Sequence, residues 1–278
     1  MGRMQHGVTL PRRGSTWQAG GMKVAAIQFD FVETESFGAR VERMLSLVAA
    51  ESEADLIVLP ELWPNGGFTY LLWDATAQPL DGPVVQQLRD AARAASVVLH
   101  GGSFIERHSD GSLTNTSVVV DSDGSLNAVY RKIHLFGFVD GEPKYLVAGD
   151  DVVVAETSVG RLGLATCYDL RFPEMFRQLT DADADVFVVP AAWPEARISH
   201  WSILARARAI ENQLPLVAVN TAGTHGGVTM GGASLVVDAL GATLAEAGRG
   251  EQVIRTEVDL AHTRDWRERF PALGDRRL

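Results

Sequence analysis

Hydrophobic positions change their spacing repeatedly along the chain, in a way that predicts strands alternating with helices. The run at 24–29 is typical of a strand, and 56–59 is a short, wholly apolar segment of the kind found in strands buried on both faces. Between them, apolar residues in 41–48 follow the i, i+3, i+4, i+7 spacing of a helix with one apolar face. A second helical pattern at 84–95 precedes an apolar run at 97–105 that predicts another strand.

Residues 116–133 interrupt the alternation of strands and helices, which then resumes. Two β-rich runs, 116–121 and 127–133, flank Asp123-Gly124, which is a tight-turn signal, so an antiparallel hairpin is expected here. Further strands are predicted at 162–167, 186–190, 216–221, 234–237 and 253–258. Strand–helix alternation interrupted by hairpins predicts an α/β fold with mixed sheets.

The clearest helix of the second half is predicted at 199–212. Ser199 is placed to cap its N-terminus, and Ile203, Ala207 and Ile210 lie along one stripe. The glycine-rich segment 223–232 does not have the spacing of a phosphate-binding loop. It predicts a flexible loop over a site or at a subunit interface.

Domain organisation follows from where periodicity begins. Residues 1–21 lack periodicity and an apolar secretory core, so they are interpreted as a disordered leader or an extension. No linker-like stretch divides 22–278, which predicts one domain.

Composition narrows the class of protein. Its 46% apolar and 22% charged residues are typical of globular proteins. The excess of 35 acidic over 25 basic residues argues against nucleic-acid and anionic-membrane partners. No apolar run approaches the roughly 20 residues of a membrane-spanning helix. The single cysteine cannot form an internal disulfide, which fits a reducing compartment, and we expect a cytoplasmic protein.

Three predicted strand ends carry chemically reactive residues: Glu61, Lys132 and Cys167. Each also has an ordinary interpretation. Cys167 could be a small buried hydrophobe, Glu61 a capping or paired loop carboxylate, and Lys132 a solvated strand-end lysine. Cys167 comes just before a predicted helix, whose N-terminus is expected to favour a thiolate.

Together these residue types suit attack on an amide carbonyl. That reaction needs a thiolate, a base to take the thiol proton, and positive charge where the oxyanion develops. Periodicity alone does not establish that the three side chains meet. The seven histidines show no close ligand spacing such as HExxH, so neither a metal nor a cofactor is expected.

The sequence resembles the nitrilase superfamily of carbon–nitrogen hydrolases, whose hallmark is a Glu–Lys–Cys catalytic set. The matching motifs are VLPELWPNGG, YRKIHLFGFVDGEPKYL, LGLATCYDLRFPEMF and PAAWPEARISHWSILARARAIENQ, and the likeness extends over roughly 22–278. The resemblance implies a four-layer α-β-β-α sandwich that commonly forms dimers or larger oligomers across its outer helices. A homodimer or higher homo-oligomer is therefore expected.

The same resemblance implies roles for individual residues. Glu61 would be the general base, Cys167 the nucleophile and Lys132 the stabiliser of the tetrahedral intermediate. The backbone N–H of Tyr168 would be a second oxyanion donor. Glu142 matches a second glutamate that positions substrate or water near the thiol, and a polar turn residue is the open alternative.

The motifs CYDLRFP and ARAIENQ are most similar to those of ω-amidases, which cleave the terminal amide of short dicarboxylate monoamides. A small amide is therefore the expected substrate. Arg171 and Trp193 are candidate substrate-binding residues. Arg171 could instead pair with Asp169 or Glu174, and Trp193 could be a core residue.

Two other functions remain open from the sequence. One is an N-carbamoyl-amino-acid amidohydrolase or another amidase of the same superfamily. The other, of a different class, is a catalytically idle member that acts as a binding or scaffold protein, although the presence of all three catalytic residue types argues against it.

Overall fold

Strands and helices alternate along residues 21–137 and 140–277, the part of the chain that the computed structural model describes. The strands are β1 (Met22–Gln28), β2 (Asp30–Phe31), β3 (Leu56–Val58), β4 (Val98–Arg107), β5 (Leu113–Val120), β6 (Leu126–Arg131), β7 (Val154–Thr157), β8 (Gly160–Leu164), β9 (Val186–Ala191), β10 (Leu216–Asn220), β11 (Ala222–His225), β12 (Val228–Thr229), β13 (Leu235–Val237), β14 (Thr243–Glu246) and β15 (Gln252–Val258). The helices are α1 (Phe37–Ala49), α2 (Tyr70–Thr76), α3 (Pro83–Ala95), α4 (Pro173–Asp181), α5 (Ile198–Asn212) and α6 (Leu260–Arg269).

The predicted leader falls almost wholly outside the described residues, which begin at Gly21. The backbone N–H of Gly21 donates to Glu257 Oε1 at 2.7 Å, next to the start of β1. The one-domain boundary at residue 22 stays a prediction.

Two six-stranded sheets form the centre of the molecule. Their orders are β15-β1-β3-β4-β5-β6 and β14-β13-β10-β9-β8-β7. In each sheet three neighbouring strands are parallel, β1-β3-β4 and β8-β9-β10, and the flanking pairs are antiparallel. The two sheets thus have the same succession of parallel and antiparallel pairs, although no repeat is evident in the sequence.

Helices cover the outer face of each sheet. Residues of α1 and α3 pack against the first sheet in one apolar core, whereas α4 and α5 pack on the second sheet. The two sheets bury their inner faces against each other in the larger core, which also includes residues of α4 and α5. The layers are therefore α-β-β-α, and the sandwich expected from the resemblance is confirmed.

The short apolar strand β3 shows why the sequence folds in this way. Leu56 and Val58 point into the core between the sheets, and Ile57 and Leu59 into the core beneath the helices. Because both faces of the strand are covered, its residues are all apolar rather than alternating. α1 begins where Ser36 Oγ accepts from Ala39 N at 3.2 Å, as an N-cap does.

Two local predictions, the Ser199 cap and the loop at 223–232, are wrong. α5 begins at Ile198 after a short 3₁₀ turn, so Ser199 lies inside the helix and does not cap it. The side chains of Ile203 and Ile210 are 65% and 52% exposed, because α5 buries its other face, which includes Trp201 and Arg208. The segment 223–232 is not an irregular loop, since β11 and β12 pair as a hairpin within it.

Candidate active site

Glu61, Lys132 and Cys167 all follow strands, and the structure brings them to one cavity. They come after β3, β6 and β8 respectively, at the ends of strands from both central sheets. Together with its opening to solvent, the cavity has a volume of about 370 Å³. It is lined by Glu61, Gly67, Phe68, Lys132, Phe136, Glu142, Cys167, Tyr168, Arg171, Ala192, Trp193, Pro194 and Arg197.

Glu61 is held in place by the turn that follows β3. Leu62 has a φ of 48°, and its N–H donates to Ser103 Oγ at 3.0 Å. The indole of Trp63 donates to the carbonyl of Gly101 at 2.9 Å, which fixes the turn to β4. The Glu61 carboxylate therefore points into the cavity from a rigid, buried support.

Cys167 occupies a strained position at the end of β8. Its φ is 49°, in the left-handed region that few non-glycine residues adopt. It opens a 3₁₀ turn over 167–171, in which Thr166 and Asp169 bond each other's backbone N–H groups with their side chains. Sharp turns of this kind direct a nucleophile out of the sheet and towards the substrate.

Lys132 lies between two carboxylates. Its Nζ donates to Glu61 Oε1 at 2.8 Å and to Glu142 Oε1 at 2.9 Å. Asn115 Nδ2 also donates to both, at 2.8 Å to Glu61 and at 3.2 Å to Glu142. The second oxygen of Glu61 accepts from Ala192 N at 2.7 Å, and that of Glu142 accepts from Phe136 N at 2.5 Å. The two buried carboxylates thus share one ammonium and one amide.

Glu142 reaches this position through a close approach of backbone segments. It follows Gly141, where an added Cβ would lie 2.4 Å from the carbonyl oxygen of Phe136. The Glu142 N–H donates to that same oxygen at 2.8 Å. A side chain at residue 141 would therefore separate the segments and move the Glu142 carboxylate.

Burial and charge set the protonation states. Burial, and then the negative charge of Glu61, raise the pKa of Cys167 well above its ordinary value, with Lys132 opposing the shift. Burial raises the pKa of Glu142, Lys132 opposes this, and the charge of Glu61 adds to it. Burial alone would lower the pKa of Lys132, but Glu142 and Glu61 outweigh it, so that pKa is raised.

These shifts correct one expectation from the sequence. The residue after β8 was expected to be a thiolate favoured by a helix N-terminus, but the raised pKa of Cys167 makes the resting group a neutral thiol. A neutral thiol must lose its proton during attack, so the site needs an adjacent base. The Glu61 carboxylate is close enough to accept a hydrogen bond from it.

The cavity rim is aromatic and cationic. The Arg171 guanidinium lies 4.8 Å from the ring centre of Trp193, and that of Arg197 lies 5.3 Å from the ring centre of Phe136. Neither guanidinium forms an ion pair with a carboxylate of the described residues. The alternative that Arg171 pairs with Asp169 or Glu174 is therefore wrong. Trp193 is buried and also lines the cavity.

Two contributors to the site were missed in the sequence. Asn115 lies in the polar half of β5, among threonine and serine residues, where it resembles an ordinary strand residue. Ala192 contributes only its backbone N–H, which no side-chain pattern reveals. The sequence has no signal that distinguishes Asn115 from its polar neighbours Thr114, Thr116 and Ser117.

The described residues contain neither a metal-binding cluster nor a membrane-spanning helix. In residues 21–137 and 140–277, no group of three or more His, Cys, Asp or Glu side chains is arranged to hold a metal ion. No helix in the same residues has the length and apolar character needed to cross a bilayer.

Comparison with known proteins identifies the family. The family model for carbon-nitrogen hydrolases matches residues 23–268. The chain belongs to the carbon–nitrogen hydrolase family. It is 44% identical over 265 residues to a 2-oxoglutaramate amidase from Paenarthrobacter nicotinovorans, and the match covers 93% of this chain and 90% of that protein.

Solved structures agree with this assignment to the carbon–nitrogen hydrolases. A CN-hydrolase superfamily protein from Xanthomonas campestris, solved with an arsenic adduct in its active site, matches with a TM-score of 0.86 and 31% identity over 93% of this chain and 98% of that one. An amidase from Nesterenkonia sp., solved with the acetamide moiety of fluoroacetamide added covalently to its active-site cysteine, matches with a TM-score of 0.82 and 26% identity over 95% and 97% of the two chains. The predicted superfamily and hydrolase class are therefore confirmed.

Proposed function

We propose that this carbon–nitrogen hydrolase is a thiol amidase that cleaves the terminal amide of a small, carboxylate-bearing substrate, as an ω-amidase does. The observation that carries the proposal is the convergence of Glu61, Lys132, Glu142 and Cys167 in one cavity. The relative from Paenarthrobacter nicotinovorans, named 2-oxoglutaramate amidase, supports the choice of an amide substrate.

Acylation follows from the protonation states of the site. Glu61 takes the proton from the Cys167 thiol as sulfur attacks the amide carbon, forming a C–S bond. The oxyanion is stabilised by the Lys132 ammonium and by the backbone N–H of Tyr168, a residue that lines the cavity. Glu61 then returns its proton to the amide nitrogen, the C–N bond breaks, and ammonia leaves a thioester on Cys167.

Deacylation reuses the same groups. Glu61 removes a proton from a water molecule, whose oxygen attacks the thioester carbon. The C–S bond breaks, the carboxylic acid product leaves, and Cys167 regains its proton. Glu142 has a raised pKa, lines the cavity and holds Lys132, so its role is to position the ammonium and the attacking molecule.

The cavity rim supports a substrate that carries a carboxylate. Arg171 and Arg197 present two guanidinium groups without carboxylate partners among the described residues, each against an aromatic face. Arginine binds carboxylates through paired hydrogen bonds, and the aromatic walls exclude water from them. We assign Arg171 and Arg197 to the distal carboxylate and Trp193 to the wall beside it.

The experiment is an ammonia-release assay on matched amides. Short ω-monoamides of dicarboxylic acids, neutral amides of equal length, and N-carbamoyl amino acids are compared, with carbon dioxide also measured. Release of ammonia alone, fastest with the carboxylate-bearing monoamides and lost in Cys167→Ala, supports the proposal. Carbon dioxide from carbamoyl substrates favours the carbamoyl alternative, and no turnover of any substrate favours the scaffold alternative.

The arginine assignment has its own test. Arg171→Gln and Arg197→Gln should raise KM for the carboxylate-bearing amide by about tenfold or more, since a hydrogen bond to a charged group contributes about 1.5–3 kcal/mol. KM for the neutral amide of equal length should stay within about twofold. An equal rise for both substrates would contradict the assignment.

A further inference from the structure

Asp169 is a fully buried carboxylate, 0% exposed, that does not line the cavity. Its Oδ2 accepts from the Tyr130 hydroxyl at 2.6 Å and from Thr166 N at 2.7 Å. Its Oδ1 accepts from His134 N at 3.0 Å and from His134 Nδ1 at 2.7 Å. A buried charge with four hydrogen-bond donors is well compensated, so this carboxylate is a rigid centre in the protein interior.

The donors come from the two segments that carry reactive side chains. Tyr130 and His134 lie on either side of Lys132, and Thr166 immediately precedes Cys167. The Tyr130 hydroxyl also accepts from Ile133 N at 3.2 Å, which extends the contact around the lysine segment. Asp169 therefore ties the backbone that carries the ammonium to the backbone that carries the thiol.

The thiol segment requires such support because Cys167 has a φ of 49°. A non-glycine residue in the left-handed region relaxes unless its surroundings hold it there. The reciprocal hydrogen bonds between Thr166 and Asp169 close the turn around Cys167. The same carboxylate thus stabilises the strained turn and fixes its place relative to the lysine segment.

We propose that Asp169 is a positioning residue that sets the distance and orientation of Cys167 relative to Lys132 in the amidase reaction. The proposal rests on the proposed function for its kinetic readout. Asp169 acts through Thr166, Tyr130 and His134, and it touches no reacting atom.

Asp169→Asn is the sharpest perturbation because it keeps the shape of the side chain. If the new NH₂ group replaces Oδ2, it faces Thr166 N, and if it replaces Oδ1, it faces His134 N. Both are backbone donors, so either orientation leaves one backbone N–H without its acceptor. The Tyr130 hydroxyl and the His134 ring can exchange donor and acceptor roles, but the backbone groups cannot.

The experiment measures kcat, KM and the rate of thiol alkylation by iodoacetamide. Cys167 is the only cysteine in the chain, so alkylation reports on this thiol alone. For Asp169→Asn we expect kcat per titrated active site to fall about 10- to 100-fold with KM within about threefold, because small displacements of reacting groups reduce rates by this order. The alkylation rate constant should fall as well, and Tyr130→Phe should show a smaller loss in the same direction.

The control separates positioning from general stability. Leu99→Ala opens a cavity in the core beneath α1 and α3, away from the network, and lowers Tm without touching the site. If Asp169→Asn loses no more kcat per active site than Leu99→Ala does, or if alkylation keeps its wild-type rate, the proposal is overturned. A wild-type protein that releases no ammonia refutes the proposed function instead, while the alkylation comparison still tests Asp169.

Discussion

Replacing Lys132 by methionine tests the electrostatics on which the site depends. Methionine approximates the length of lysine but removes the ammonium that pairs with Glu61 and Glu142, both buried. Asn115 would remain as the one side-chain donor shared by the two carboxylates. The variant therefore leaves two adjacent carboxylates without a counter-charge.

The expected loss in the free energy of unfolding follows from the burial of Lys132 and its carboxylate partners. Removing one partner of a buried ion pair costs about 3–5 kcal/mol, equivalent to about two to four pKa units at 1.36 kcal/mol per unit. Burial raises the pKa of Glu142 from 4.5, and the charge of Lys132 opposes this rise. Removing that charge should therefore raise the pKa of Glu142 further. A carboxyl with a raised folded pKa binds its proton more tightly in the folded state. The loss of stability is then full above the folded pKa and shrinks as pH falls towards 4.5.

The assay is urea unfolding of wild type and Lys132→Met at pH 8 and pH 5. We expect a loss of about 3–5 kcal/mol in the free energy of unfolding at pH 8 and a much smaller loss at pH 5. Ammonia release should fall at least about 10³-fold at either pH, because the oxyanion loses its charged donor. Lys144→Met is the matched control, since Lys144 and Asp140 form an exposed pair worth less than about 1 kcal/mol. A loss at pH 8 no larger than that of the control, or equal losses at both pH values, would refute the reasoning.

Three further predictions concern the thiol, the shared amide and the outer helix. Because the pKa of Cys167 is raised, its alkylation by iodoacetate at pH 7.5 should be slower than that of free cysteine and should increase up to at least pH 9; a plateau below pH 8 would contradict this. Asn115→Leu removes the donor shared by Glu61 and Glu142, so kcat should fall about tenfold or more, whereas Asn127→Leu on the edge strand β6 should leave it unchanged in the same ammonia assay. If the protein is a homodimer joined through the exposed α5 residues Ile203 and Ile210, Ile203→Arg should halve the mass measured by light scattering, and an unchanged mass would contradict that interface.

Strands and helices whose apolar residues lie in the cores could be predicted from the sequence. The apolar run of β3 and the apolar spacing of α1 and α3 result from burial between the layers. The hydrophobic pattern of the sequence therefore predicts these three elements directly. The hairpin around Gly124 was equally predictable, because its φ of 80° favours glycine. The order of strands within each sheet was not, since pairing between distant segments leaves no local signal.

α5 shows where pattern reasoning fails. Its buried face includes Arg208 and Asn212, whose polar groups are satisfied by the carbonyl of Leu170 and by Thr180. Its exposed face carries Ile203 and Ile210. A helix that buries polar groups and exposes apolar ones reverses the usual rule, so its apolar stripe does not indicate the buried side.

The candidate site was predictable in its reactive side chains but not in its supports. Glu61, Lys132 and Cys167 stand out as reactive types at strand ends, and the family motifs place them together. Asn115 and the Ala192 N–H act through hydrogen bonds formed only when β5 and β9 reach the cavity. The neutral state of Cys167 likewise depends on burial and on Glu61, neither of which the motif around it reveals.

The central claim is that Cys167 is acylated by an amide with release of ammonia. Mass spectrometry of rapidly quenched enzyme, mixed with a carboxylate-bearing ω-monoamide, tests it most directly. The account predicts that the peptide containing Cys167 gains the mass of the substrate less one ammonia, and that Cys167→Ala shows neither this adduct nor ammonia release. Ammonia release by Cys167→Ala at the wild-type rate would contradict the account.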